Sequence, residues 1–282
     1  MSLYVLGLVL TAAFLHASWN LLSKKAQGKT PFIWLMYLVS SILYLPVLLF
    51  QKEYPPALWW FSLISAILHL GYYIVLQKGY RSADLSVVYP LARGSGPLFS
   101  SMVAILFLHE PLKLTITLGL LLMIAGVLLI NGLNFKKGTD KNVMTGVFFG
   151  IFTGLFIALY TVNDTIAIKT YHLSPLTLTV LTNIIGTVLL APFIIKQKAE
   201  LKREIKQHKW IIIAIAVLSP AAYILVLEAL KYAPLTVVAP ARETSILLGV
   251  FMGSSVFKEK DGRRRLAASL LILIGIVLLG IS

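Results

Sequence analysis

Two arginines stand inside apolar stretches of the chain, Arg93 in the run Pro90-Leu-Ala-Arg93 and Arg242 in Pro240-Ala-Arg242. A guanidinium matches carboxylate or phosphate oxygens through a planar two-point fork, so a pair of them at one depth reads as a site for an anionic group. The bland alternative is that each snorkels to its own membrane surface or enters a buried ion pair. Glu243 adjoins Arg242, but successive helical residues point about 100° apart. It is therefore expected to pair elsewhere, either as a static partner of Arg93 or as the carrier of a coupling proton.

Pro90 and Pro240 each lack an N–H and free the carbonyl four residues earlier, on Ser86 and Thr236. Both are expected to bend or break their helices, and backbone freed at membrane depth is tolerated only against protein or a wet cavity. A second polar group comprises His16, Trp19 and Asn20, with Tyr160, Asn163 and Asp164 at corresponding heights in a later stretch. Cavity lining and interhelical hydrogen bonding are both open for His16, Trp19, Asn20 and Asn163. For His69, Tyr72, Tyr73 and Tyr223 lining is favoured, because Tyr73 and Tyr223 repeat, with helix packing as the alternative. Asp164 and Glu228 lie near the ends of their stretches, which suits an interfacial role; Asp164 is kept as a second coupling candidate.

These residues sit in a chain of 282 residues that is 58% AVILMFWYC and 13% charged, with a mean hydropathy of +0.87. A soluble domain has about 25% charged residues, so this chain lacks the polar surface a water-facing protein needs. The reading is an all-α integral membrane protein. Apolar runs place ten spans at about 3–23, 32–50, 58–77, 85–108, 114–133, 144–166, 176–195, 210–229, 235–257 and 266–281. Trp59, Trp60 and Trp210 stand at span ends, as interfacial anchors do. Met1 to Leu3 carries no basic residue and the first stretch is echoed later, so it reads as a retained helix and not a signal peptide. With no Cys, disulfides and thiolate metal sites are excluded.

Sliding residues 60–90 onto 210–240 at an offset of 150 superposes Trp60 on Trp210, Tyr73 on Tyr223, Val87-Val88 on Val237-Val238 and Pro90 on Pro240. An offset of 149 then brings Arg93 onto Arg242 and Gly126 onto Gly275. The chain divides into two five-helix repeats, 1–135 and 142–282. An odd number of spans per repeat requires the second copy to be inverted. Seven to eight residues into each span, the two arginines would then lie about 11–12 Å deep from opposite faces. Of the 25 Lys and Arg, 19 fall in the connections after the odd-numbered spans. By the positive-inside rule those connections are cytoplasmic and both termini lie outside. Cationic loops of this kind face lipid headgroups, not nucleic acid. Gly119, Gly126 and Gly275 are expected at close helix contacts.

Several chemistries are missing. No GxxxxGK[ST], HExxH or GxSxG occurs, and His109 with Glu110 has too few companions for a metal site. No catalytic residue, metal or cofactor is assigned.

The order of motifs resembles the ten-helix EamA-type proteins of the drug/metabolite transporter superfamily. It is carried by HASWNLLSKK at 16–25 with Pro31 after it, by Val-Val-x-Pro at 87–90 and 237–240, by Glu110-Pro111, and by Gly-Val-Leu-Leu from Gly126. The second half departs from it with Glu259-Lys260 where the first has Glu110-Pro111. The resemblance implies that helices 1, 3, 4, 6, 8 and 9 surround a central cavity served by alternating access. It also implies cytoplasmic termini, against the charge count.

The resulting expectation is a secondary active transporter, an exporter or exchanger, in the plasma (inner) membrane. Its substrate would be a small polar, anionic or zwitterionic metabolite such as an amino acid, organophosphate or phosphonate. Arg93, Arg242, His16, Trp19, Asn20, Tyr73, Tyr223 and Asn163 would bind it, and Glu243 or Asp164 would carry a coupling proton or other ion. A monomer or homodimer is expected. The competing classes are a lipid-headgroup flippase and an intramembrane lipid-modifying enzyme, the latter disfavoured because no nucleophile and base sit together.

Overall fold

A computed structural model of the chain describes residues 3–51, 53–107, 114–131, 141–233, 238, 242–257 and 262–280. Pro240, Ser2, Glu110, Pro111, Glu259 and Lys260 lie outside the described residues. Helix is the regular structure throughout, with no strand among the described residues. The helices are α1 (Leu3–Ala26), α2 (Thr30–Tyr44), α3 (Pro56–Ser82), α4 (Leu85–Phe107), α5 (Leu114–Asn131), α6 (Lys141–Lys169), α7 (Pro175–Ile194), α8 (Lys198–Tyr232), α9 (Ser245–Val256) and α10 (Gly262–Gly280). Among the described residues, six segments are by length and composition able to cross a membrane: α1, Thr30–Phe50, α3, Met144–Lys169, α7 and α8.

Proline positions explain several boundaries. Pro31, Pro56 and Pro175 open α2, α3 and α7, where a missing N–H removes no helical bond. Pro46 cannot donate to Ile42, and from Leu45 to Phe50 the chain tightens into a 3-10 helix. No break is seen at Pro90: α4 runs as one helix from Leu85 to Phe107. The interruption falls in the other half, where Glu243 and Thr244 form a turn before α9 begins at Ser245.

The expected basic connection between spans seven and eight is also revised. Residues from Lys198 onward, rich in Lys, Glu, Arg and Gln, continue directly into the apolar part of α8. These are strong helix formers with nothing to stop them. At 35 residues α8 rises about 52 Å, well beyond a hydrocarbon core of about 30 Å.

Helix contacts repeat on a shift of five. α1 packs on α8 as α6 packs on α3, α2 on α8 as α7 on α3, and α1 on α9 as α6 on α4; α2–α7, α4–α9 and α5–α10 pair with their own counterparts. Close approach in α4–α6 depends on Gly146, Gly150 and Gly154, one per turn of α6. A Cβ on Gly150 would meet Leu91 Cβ at 2.7 Å and Val88 O at 3.2 Å, and one on Gly154 would overlap Ser95. The α5–α10 seam is built likewise, with Gly126 against Ala268 O at 2.7 Å and Gly275 against Gly119 O at 2.6 Å, measured to the missing Cβ. Small residues let backbones approach where lipid gives no hydrophobic drive to associate.

Candidate functional site

Packing α1, α2, α3, α6, α7 and α8 around one another leaves a cavity between them. Among the described residues none of α4 or α9 contributes to its lining. The aromatic part comes from α1 (Trp19, beside His16), α2 (Tyr37), α3 (His69, Tyr72, Tyr73), α6 (Tyr160) and α8 (Tyr223). The His69 ring stacks on Tyr160 at 4.0 Å between centroids, while Tyr72 and Tyr223 meet Tyr160 edge-on at 5.7 and 5.6 Å. Trp19 and Tyr37 each approach Tyr73 to 5.6 Å. A smaller void shares Tyr37, Tyr73, Asn183 and Ser219 with it and extends to Ser40 and Ile215, toward the basic start of α8.

The carboxylate of Asp164 lies in this wall, one helical turn beyond Tyr160. Asp164 does not face solvent: near the end of α6 it is fully buried, held by Ser65 of α3 and Tyr223 of α8. Its Oδ2 accepts from Tyr223 Oη at 2.6 Å and from Ser65 Oγ at 3.0 Å, and its Oδ1 from Asn163 Nδ2 at 2.8 Å. No Lys or Arg among the described residues is ion-paired with it. Asn163 reaches Phe61 O as well, at 3.2 Å, and is itself outside the lining.

Along α1, Trp19 Nε1 donates to His16 Nδ1 at 3.1 Å, while His16 Nε2 is buried with no hydrogen-bond partner among the described residues. Asn20 does not reach the cavity. It donates to His16 O at 2.7 Å and accepts from Tyr80 Oη at 2.6 Å, which ties α1 to α3. Tyr73 Oη and Ser219 Oγ share a hydrogen bond that joins α3 to α8 across the cavity.

The arginines go elsewhere. Neither lines the cavity, and neither reaches the lipid-facing surface, at 2% and 3% exposure. Arg93 Nε meets Glu243 Oε2 at 2.8 Å, and Arg242 Nη2 meets Glu243 Oε1 at 3.0 Å. Glu243 thus neutralises its own neighbour, contrary to the helical argument, because it sits in the turn before α9 and not within a helix. The triad carries a net charge of one positive unit, and Arg93 Nη2 has no hydrogen-bond partner among the described residues.

Sequence reasoning passed over Tyr37, Ser65 and Ser219. Ser65 was accessible to it, since it stands one turn before His69 on the same face of α3. It also passed over Gly146-x3-Gly150-x3-Gly154, a plain small-residue spacing. Among the described residues no group of His, Asp and Glu could hold a metal ion.

The sequence profile of the EamA-like transporter family matches residues 3–132 and again residues 144–281. The chain belongs to the EamA-like transporter family. A search of curated protein sequences finds no match. A crystal structure of a protein 14% identical in sequence shares the fold with a TM-score of 0.63, over 97% of this chain and 95% of that one. The EamA-like chain is thus a multi-pass membrane protein of a family of small-molecule transporters.

Proposed function

We propose that this EamA-like protein is a ten-span secondary transporter built of two inverted repeats, 1–135 and 142–282, which carries a small zwitterionic metabolite by alternating access. The observation that supports this reading most is the cavity itself. A cavity between six helices, lined by hydroxyls, imidazoles and aromatic rings and holding a buried carboxylate, is costly in a membrane unless something enters it. Of the two substrate classes expected from sequence, a pure anion fits less well than a zwitterion. The cavity's own charge is negative at Asp164, and the positive triad lies beyond its wall. A solute with separated charges suits both.

Alternation would be a rocking of one repeat against the other about the turn at Glu243-Thr244 and the start of α4. Glu243 has an arginine on each oxygen and serves as a static bridge, so the coupling role passes to Asp164, whose hydrogen-bond donors are Ser65, Asn163 and Tyr223. The inner membrane, with both termini outside, follows from loop charge.

Counterflow in proteoliposomes is the test. Vesicles preloaded with a panel of unlabelled amino acids, betaines and aminophosphonates should accumulate the matching labelled solute unchanged, and Arg93→Ala should slow it. Absence of exchange with every member of the panel would overturn the transport reading, and chemical conversion of the label would replace it with an enzyme.

A further inference from the structure

We infer that the triad of Arg93, Glu243 and Arg242 is completed by one small inorganic anion of the chloride type, bound between α4 and the start of α9 by Arg93, Tyr89 and Ser245. The site is separate from the cavity between the other helices and does not rest on the transport reading.

The argument starts from charge. Guanidiniums stay protonated in proteins, and Glu243 sets one carboxylate oxygen against each of them, so the three side chains sum to one positive unit. All three are buried, and a charge without a counter-charge is strongly disfavoured at membrane depth. Arg265 shows the contrast in the same bundle, with an acid of its own, Asp84, at 2.8 Å. Asp164 does not supply the missing charge. Among the described residues it is ion-paired with neither arginine, and its oxygens accept from Ser65, Asn163 and Tyr223.

The donors that surround the triad set the chemistry of the missing partner. Arg93 Nη2, Tyr89 Oη and Ser245 Oγ are buried and have no hydrogen-bond partner among the described residues. Their positions bring them to one seam. Tyr89 and Arg93 are a turn apart on one face of α4. The Tyr89 ring lies on α9 where a side chain at Gly249 would be, and Ser245 stands one turn before Gly249. Glu243, two residues before Ser245, holds Arg93 at 2.8 Å. The first turn of α9 adds the positive end of its helix dipole. A guanidinium and two hydroxyls with free hydrogens are served together by a partner that only accepts. A carboxylate or phosphate is best held by two parallel N–H groups of one guanidinium, and Arg93 has already given its Nε to Glu243. Three separate donors suit a single-atom acceptor, and a monovalent one closes the charge balance.

Chlorine-35 resonance of chloride added to the purified full chain, exchanged into gluconate in detergent, tests the site through the excess line broadening that bound chloride causes. Broadening should be present in the parent and displaced by bromide. Tyr89→Phe and Ser245→Ala each remove one donor and leave every charge in place, and each should weaken the apparent chloride affinity about 3- to 10-fold. Arg93→Met leaves Arg242 and Glu243 as a balanced pair and should abolish the effect, while Lys202→Gln with Lys206→Gln, on the exposed start of α8, should leave it unchanged. In the same buffers chloride should raise the thermal midpoint of the parent to a plateau, as a ligand of the folded state does, and should not raise that of Arg93→Met. Absence of excess broadening in the parent would overturn the assignment, and so would broadening that survives Arg93→Met and falls with the lysine changes. Stronger displacement by acetate or methylphosphonate than by bromide would give the triad to an organic anion instead. If Arg93→Met does not fold, the two hydroxyl variants decide, and unaltered chloride affinity in both overturns the site.

Discussion

Arg93 and Glu243 are 150 residues apart in sequence and 2.8 Å apart in space. Their contact fastens α4 to the turn that precedes α9, and Arg242 completes the bridge from the other carboxylate oxygen. Removing the acid would leave two guanidiniums buried without a counter-charge, the situation in which a broken buried pair costs about 3–5 kcal/mol. Glu243→Gln is therefore expected to destabilise the folded protein more than Arg242→Met, which leaves one balanced pair. Thermal unfolding in detergent checks the order; equal midpoints for the two variants would contradict the bridge.

The glycine ladder of α6 gives a second expectation. At Gly154 an added Cβ would overlap Ser95 and lie 2.9 Å from Gly96 N, whereas at Gly7 of α1 it would meet nothing within 4 Å. Gly154→Val should lose about 1–3 kcal/mol or fail to give a monodisperse peak, by forced separation of α4 from α6. Gly7→Val, measured in the same chromatography, should match the parent.

Across the cavity, Tyr73 and Ser219 join α3 to α8 through one hydrogen bond between hydroxyls. Tyr73→Phe and Ser219→Ala should each cost about 0.5–1.5 kcal/mol, and the double variant no more than the larger single. Strict additivity of the two unfolding energies would show that the hydroxyls do not act together.

Orientation follows from loop charge and is open to direct labelling, because the chain is free of Cys. Leu3 and Lys202 are both exposed, at opposite kinds of ends: the start of α1 and the basic start of α8. Single cysteines there should react with an impermeant maleimide from opposite sides of the cell membrane, Leu3→Cys from outside and Lys202→Cys only after permeabilisation. The reverse pattern would place the termini in the cytoplasm.

Much of the architecture was legible in the residues alone. Apolar runs marked where helices lie, since hydrophobicity over about 20 residues is a local property. Register between the halves was legible too, and the contacts that repeat on a shift of five helices follow the same pairing. Boundaries were less so. The helical extension from Lys198 was written in its Lys, Glu and Gln composition, but its charge drew attention to the membrane surface instead of to helix propensity.

Sequence by itself determined the solvent this protein requires, where its apolar helices lie and the two matches to one family pattern, because each is carried by composition or by self-similarity along the chain. Only the tertiary structure decided what each intramembrane charge does. Arg93, Arg242 and Glu243 close on one another outside the cavity, while Asp164, close to the end of its helix in sequence, is brought into the wall and held by Ser65, Asn163 and Tyr223. Pairing between charges depends on distances of a few ångström between helices far apart in the chain, and no local pattern encodes those distances.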